Sequence, residues 1–183
     1  MVSTKKVLVV HSGVYGHTRK ICEAMRPVLA AHGAELTLAA LPDDAPDPAD
    51  FDAVLIGASI RNGKHNPAIL EFIERHRARL DDRVSGFFSV NLVARKPHKN
   101  TPETNPYVQA FLKSSPWQPD QLGVFGGRLN YRRYRTFDRW AIRLIMWMNK
   151  GPTELDTDVE FTDWAAVERF AEEFARRVEG KTG

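Results

Sequence analysis

The chain has 183 residues, 43% of them hydrophobic and 27% charged, a balance that fits one globular domain and excludes extended disorder and fibrous repeats. Its single cysteine, Cys22, excludes an intrachain disulfide and a thiolate metal cluster; with no signal-peptide core and no run near the roughly 18 uncharged apolar residues of a spanning helix, the expected setting is the reducing cytosol. The formal charge of +3 is unevenly placed, because residues 128–150 hold seven basic residues and one acidic residue, leaving 19 basic and 22 acidic residues elsewhere. A mildly acidic body therefore carries one basic element, whose natural partners are lipid headgroups, nucleic acid or a ligand with carboxylates.

In chain order, Val7-Leu8-Val9-Val10 is an unbroken apolar run, followed by a loop and then by Ile21, Met25, Val28 and Leu29 at helical spacing. Pro27 lies inside that helix and is expected to kink it. An edge-like strand follows at 35–38, a Pro/Asp-rich loop at 42–50, and a second apolar run at Ala53-Val54-Leu55-Ile56-Gly57. Asn66-Pro67 has cap and first-turn chemistry, and Ile69, Phe72, Ile73, His76 and Leu80 follow with helical period. A strand is expected at 85–90, a helix at 102–115, and a strand at 122–127. Thr162-Asp163 caps a last helix with Trp164, Val167, Phe170, Ala171, Phe174 and Val178 in one stripe. The alternation predicts one α/β domain, a doubly wound, five-stranded parallel sheet, with residues 128–158 inserted late in the sheet.

Ligands in such sheets bind beyond the carboxyl ends of the strands, where the winding reverses. Three loops are expected to meet there. The first, Ser12-Gly13-Val14-Tyr15-Gly16-His17-Thr18, lacks the lysine of a Walker loop and the G-x-G-x-x-G of a dinucleotide fold. It offers hydroxyls at both ends and backbone N–H groups at a helix N-terminus, an anion nest for a terminal phosphate. The second centres on Ala58-Ser59-Ile60-Arg61-Asn62, and the third on Ser89-Val90-Asn91-Leu92-Val93-Ala94-Arg95. Two loops beside a phosphate nest suit a planar heterocycle with a monophosphate, and flavin mononucleotide (FMN) fits that description.

The strings Gly57-Ala58-Ser59-Ile60-Arg61, Ser89-Val90-Asn91-Leu92-Val93-Ala94-Arg95-Lys96-Pro97, Tyr131-Arg132-Arg133-Tyr134-Arg135, Leu144-Ile145-Met146-Trp147-Met148 and Phe161-Thr162-Asp163-Trp164 run through nearly the whole chain. They resemble the bacterial menaquinone-dependent protoporphyrinogen IX dehydrogenases, the flavodoxin-like, oxygen-independent type. The resemblance implies a flavodoxin-like fold, FMN as cofactor, and oxidation of protoporphyrinogen IX during haem synthesis. Menaquinone or another lipid quinone would take the electrons at the inner face of the cytoplasmic membrane.

In that chemistry a hydride leaves a methylene bridge and a proton leaves a pyrrole nitrogen, and the cofactor carries the hard step. No catalytic side chain is therefore assigned, and Arg61 or Arg95 is expected to stabilise the anionic reduced flavin. The six histidines have no metal-ligand spacing, so no metal is expected, and His65 and His98 read as surface-loop residues. In the insertion a helix is expected over about 133–149. Arg132, Arg135, Arg139 and Arg143 form a basic stripe there, and Trp140 and Trp147 stand among its apolar residues, a pattern suited to an anionic membrane or to the propionates of the substrate. Competing readings are an electron-carrier flavodoxin, an NAD(P)H:quinone reductase, and a non-enzymatic membrane- or nucleic-acid-binding module. The resemblance favours the enzyme without nucleic acid.

Overall fold

The computed structural model describes residues 3–43 and 45–181; Asp44, within the predicted 42–50 loop, lies outside the described residues. Its frame is a parallel sheet of β1 (Lys5–Ser12), β2 (Ala34–Ala40), β3 (Ala53–Arg61), β5 (Val84–Asn91) and β6 (Gln121–Gly126), in the order β2-β1-β3-β5-β6. Short β4 (Lys64–His65) folds back antiparallel on β3. The apolar runs are continuous because both faces of the sheet are covered. Along β1, Val7 and Val9 pack on one face, Leu8 and Val10 on the other.

Helices α1 (His17–Ala31) and α5 (Trp164–Gly180) cover the first face through Ile21, Met25, Leu29, Phe170 and Phe174. Opposite them, α2 (Pro67–Asp81) and α3 (Pro106–Ser114) cover the second through Ile69, Phe72, Ile73 and Phe111. Each amphipathic stripe meets a flat apolar surface, and that burial, more than helix propensity, holds the layers together. The winding reverses between β1 and β3, so a crevice opens beyond their carboxyl ends.

Two expectations need correction. Helix α1 runs through Pro27 to Ala31 without a break. Pro27 faces solvent while Met25 and Leu29 are buried, so the missing N–H costs the core nothing and the freed carbonyl can meet water. Helix α3 begins at Pro106, four residues later than the sequence spacing indicates, because Asn105 precedes a proline and is held extended. Its side chain caps the Tyr107 and Val108 N–H groups at 3.1 and 3.3 Å.

The insertion leaves and rejoins the body through a two-stranded antiparallel ribbon, β7 (Arg128–Asn130) with β8 (Asp158–Glu160), which the sequence reading did not foresee. Between them a 3-10 turn at Tyr131–Arg133 leads into α4 (Thr136–Met148), three residues shorter at its start than expected. Leu129, Tyr131, Tyr134 and Met146 form a small core of its own, against which Tyr15 and Leu92 pack. No helix of the described residues is long and apolar enough to cross a membrane.

Candidate functional site

A cleft of about 1080 Å³, open solvent at its mouth included, lies at the switch point beneath α4. All three predicted loops reach it. Gly13, Val14, Tyr15, His17 and Thr18 line it from the first loop, Ser59, Ile60, Arg61 and Asn62 from the second, and Val90, Asn91, Leu92, Val93 and Arg95 from the third. Ser12, Ala58, Ser89 and Ala94 stand buried behind this lining, whereas Gly16 is exposed at the start of α1, where it takes a left-handed φ of 81°.

The first loop leaves α1 uncapped. Gly16 has no side chain to accept from the first N–H groups, so these donors and the positive end of the helix dipole remain available. Gly13 lies so close to Thr18 that a Cβ would sit 3.0 Å from Thr18 Oγ1, which keeps the cradle tight. Ser12 Oγ is buried and, among the described residues, has no hydrogen-bond partner. Uncapped N–H groups, a cradle without a Cβ and an orphaned hydroxyl together fit a terminal phosphate.

The second loop is a tight hairpin. Asn62 and Gly63 have φ of 52° and 74°, the geometry of a two-residue turn, and the Asn-Gly pair is the sequence signal for it. This turn folds His65 back to a half-buried position on β4, correcting its reading as a surface-loop residue. His65 Nε2 lies 2.9 Å from Ser89 Oγ, and the ring meets Phe87 and Phe111 edge-on. Ser89 Oγ also accepts from Asn91 Nδ2 at 3.0 Å, and Asn91 exchanges amide hydrogen bonds with Asn105 while accepting from Ala94 N–H. A buried polar chain thereby fixes the bend where β5 becomes the third loop.

The roof was the part of the site that sequence reasoning missed. Asp138, Ile142, Ile145, Met146 and Asn149 of the insertion line the cleft, joined by Tyr134, Tyr107, Gly127 and Arg128. Asp138, Ile142 and Met146 recur every four residues along α4, so one whole face of that helix looks down on the three loops. Its N-terminal end is held by the buried Asp138 carboxylate, which accepts from the Tyr15 phenol and lies 3.0 Å from Arg61 Nη2. Burial, then the hydrogen bond to Asp138, raises the Tyr15 pKa above that of a free tyrosine. The C-terminal end is held by Arg95, which donates to Leu92 O at 3.0 Å and to Asn149 O at 3.1 Å. Arg95 has no carboxylate within ion-pair distance among the described residues, whereas Arg128 is bound twice by Asp158 at 2.7 and 2.8 Å.

The predicted basic stripe divides into two groups. Arg139 and Arg143 turn inward on the insertion, donating to Tyr131 O at 2.8 Å and Thr153 O at 2.7 Å. Arg132 and Arg135 stay exposed and, with Arg133, have no ion-pair partner among the described residues. Trp140 and Trp147 face outward with Phe137, Leu144 and Met148, which are 54–75% exposed as a set. The described residues hold no cluster with the makings of a metal site.

These features define a flavodoxin-type protein with an added roof. The flavodoxin domain family model matches residues 8–156. A curated protein of Escherichia coli strain K12, named protoporphyrinogen IX dehydrogenase (quinone), is 42% identical over 97% of this chain and 98% of its own. A protein of that name from Leishmania major is 42% identical over 93% of this chain and 74% of its own. Among solved structures, two-electron reduced Megasphaera elsdenii flavodoxin superimposes with a TM-score of 0.56 at 12% identity, covering 93% of this chain and 98% of that one, a likeness of fold alone. The chain belongs to the flavodoxin domain family and, within it, to the family of quinone-dependent protoporphyrinogen IX dehydrogenases.

Burial lowers the His65 pKa from 6.5 to about 4, so the folded protein holds this imidazole neutral. The unfolded chain then binds a proton that the folded chain refuses, and stability falls as pH drops from about 6.5 to about 4, levelling below that window. Urea unfolding at pH 7, 5.5 and 4 should show this loss, to which His11, His17 and His76, also lowered by burial, contribute. His65→Gln should make the slope shallower, and an equal slope in the variant would remove His65 as a contributor.

Proposed function

We propose that this chain binds FMN in the cleft and oxidises protoporphyrinogen IX to protoporphyrin IX in haem synthesis, passing electrons to menaquinone or another respiratory quinone. The supporting observation is the conjunction of an uncapped helix N-terminus, suited to one phosphate, with an apolar roof over the same cleft. Residues 12–18 carry no Lys or Arg, so a phosphate here would be held by backbone donors, hydroxyls and the helix N-terminus.

Each two-electron oxidation of the porphyrinogen removes a hydride from a methylene carbon and a proton from a pyrrole nitrogen. Bound flavin supplies the hydride acceptor and the route of electrons to the quinone. The chain's residues bind, orient and exclude. Arg61 is neutralised by Asp138, so Arg95 is the cation left to favour negative charge in the cleft. Ile142, Met146 and Tyr134 keep water from the reacting face, and the exposed Arg132 and Arg135 are available to substrate propionates.

In this reading the outward face of α4 meets the membrane, making the protein cytoplasmic and peripherally attached. Phe137, Trp140, Trp147 and Met148 would enter the interfacial layer, while Arg132, Arg133, Arg135 and Lys150 meet anionic headgroups. Because Arg139 and Arg143 brace the insertion, reversing their charge would damage the roof itself, and the aromatic residues make the cleaner test.

Thr18→Glu places a like charge beside the phosphate and should leave the purified protein with less than about a tenth of the wild-type FMN occupancy at limiting FMN. Full occupancy would remove the first loop from the phosphate site. Trp140→Glu with Trp147→Glu should lower affinity for anionic vesicles at least about tenfold, since each buried Trp contributes on the order of 2 kcal/mol, with FMN retained. Wild-type binding should weaken with salt as headgroup attraction is screened. Sedimentation with vesicles reads both effects, and unchanged affinity in the double variant would exclude this face from the membrane.

A further inference from the structure

The apolar wall of the cleft and the outward face of α4 are one continuous surface. Ile145 belongs to both, since it lines the cleft and is still 37% exposed. Ile142, three residues before it, lies on the cleft side. Met148, three residues after it, is 62% exposed, and Leu144, one turn back from Met148, is 56% exposed. Residues three and four apart are neighbours on a helix surface, so Ile142, Ile145, Met148 and Leu144 form an unbroken path from the cleft to solvent. The path itself carries no charged side chain, and the polar side chain beside it, Asn149, donates from Nδ2 to Ile145 O at 2.8 Å. The helix's own cations, Arg139 and Arg143, are held by carbonyls of Tyr131 and Thr153.

A track of this kind suits a long, flexible ligand with no polar atoms, anchored at one end in a redox cleft. Methionine, unbranched and polarisable, conforms to such a chain without demanding one fixed shape. We propose that the track seats the isoprenoid tail of the lipid quinone, with the first units against Ile145 and Met148 and the remainder leaving along Leu144. The proposal rests on the quinone-dependent reading above and adds where the tail runs. One helix then separates the cleft from the bilayer and also forms the path between them, so the quinone head can reach the cleft while its tail never crosses open water.

The test uses the FMN-loaded protein in solution free of bilayer and detergent, which removes membrane docking from the measurement. Quenching of tryptophan fluorescence, measured in a Trp117→Phe, Trp164→Phe background so that Trp140 and Trp147 alone report, gives Kd for naphthoquinones that share one head and carry zero, one or two isoprene units. The wild type should bind the two-unit quinone at least fivefold more tightly than the tailless one. In the double variant Leu144→Glu, Met148→Glu that ratio should fall to near one, and in Met148→Leu it should persist. Equal Kd values for tailed and tailless quinones in the wild type, or a wild-type ratio in the double glutamate variant, would overturn the tail site. Turnover of protoporphyrinogen IX is read separately. Its absence with a preserved tail preference would contradict the functional reading and leave the tail site standing.

Discussion

The Asp138 carboxylate is buried in the first turn of α4, where it accepts from the Tyr15 phenol and pairs with Arg61 Nη2 at 3.0 Å. A carboxylate out of water must keep such partners, because breaking a buried pair leaves an uncompensated charge that costs several kcal/mol; Arg61 is partly exposed here, which reduces that cost. The three residues come from three places in the chain: the first loop, the end of β3 and the insertion. Their contact therefore decides where the roof sits over the cleft. Arg95 completes the attachment at the far end of α4, where a cation near exposed carbonyls also meets the negative end of the helix dipole.

With both ends held, α4 can be apolar on two faces. Its inner face shelters the cleft and its outer face keeps six large apolar side chains at the surface, Ile145 among them at the edge of the cleft. A helix of that composition would ordinarily be buried on all sides or act as an interaction surface. The ionic attachment separates those roles, because the roof does not depend on covering its outer face for its position. The same pairing assigns the charges of the cleft. Arg61 is spent on the roof, and Arg95 remains without a carboxylate partner, a distribution that matters for any ligand whose charge becomes more negative on reduction.

Much of this was legible in the sequence. The central strands β1 and β3 showed because burial on both faces makes their runs wholly apolar, as at Val7 to Val10 and Ala53 to Ile56, while edge strand β2, with Glu35 exposed, gave only a weaker alternating signal. The three cleft loops followed from the topology of such sheets. Lost from view were features set by tertiary contact. The strands β7 and β8 are three residues each, too short for a periodic signal, and are joined across 27 intervening residues by pairs such as Leu129 with Val159. Pro27 looked disruptive because sequence does not say which way the missing donor points. Asp138 read as one acid in a basic segment, since neither Tyr15 nor Arg61 is near it along the chain. His65 is hidden from sequence because the Asn62-Gly63 turn folds the two-residue strand β4 back onto β3, and a strand that short leaves no periodic signal. The apolar circumference of α4 was visible, but which face looked into the cleft was not.

Hydrogen exchange of the α4 amides in the FMN-loaded protein, wild type against Asp138→Asn, tests the attachment most directly. Amide exchange reads local opening, and the sheet provides an internal reference for global stability. If Asp138 holds the roof, exchange across Thr136–Met148 should quicken by about tenfold or more in the variant, while β1, β3 and β5 keep their protection. Unchanged protection of α4 in Asp138→Asn would contradict the account, because the roof would then be held in place by its apolar contacts alone.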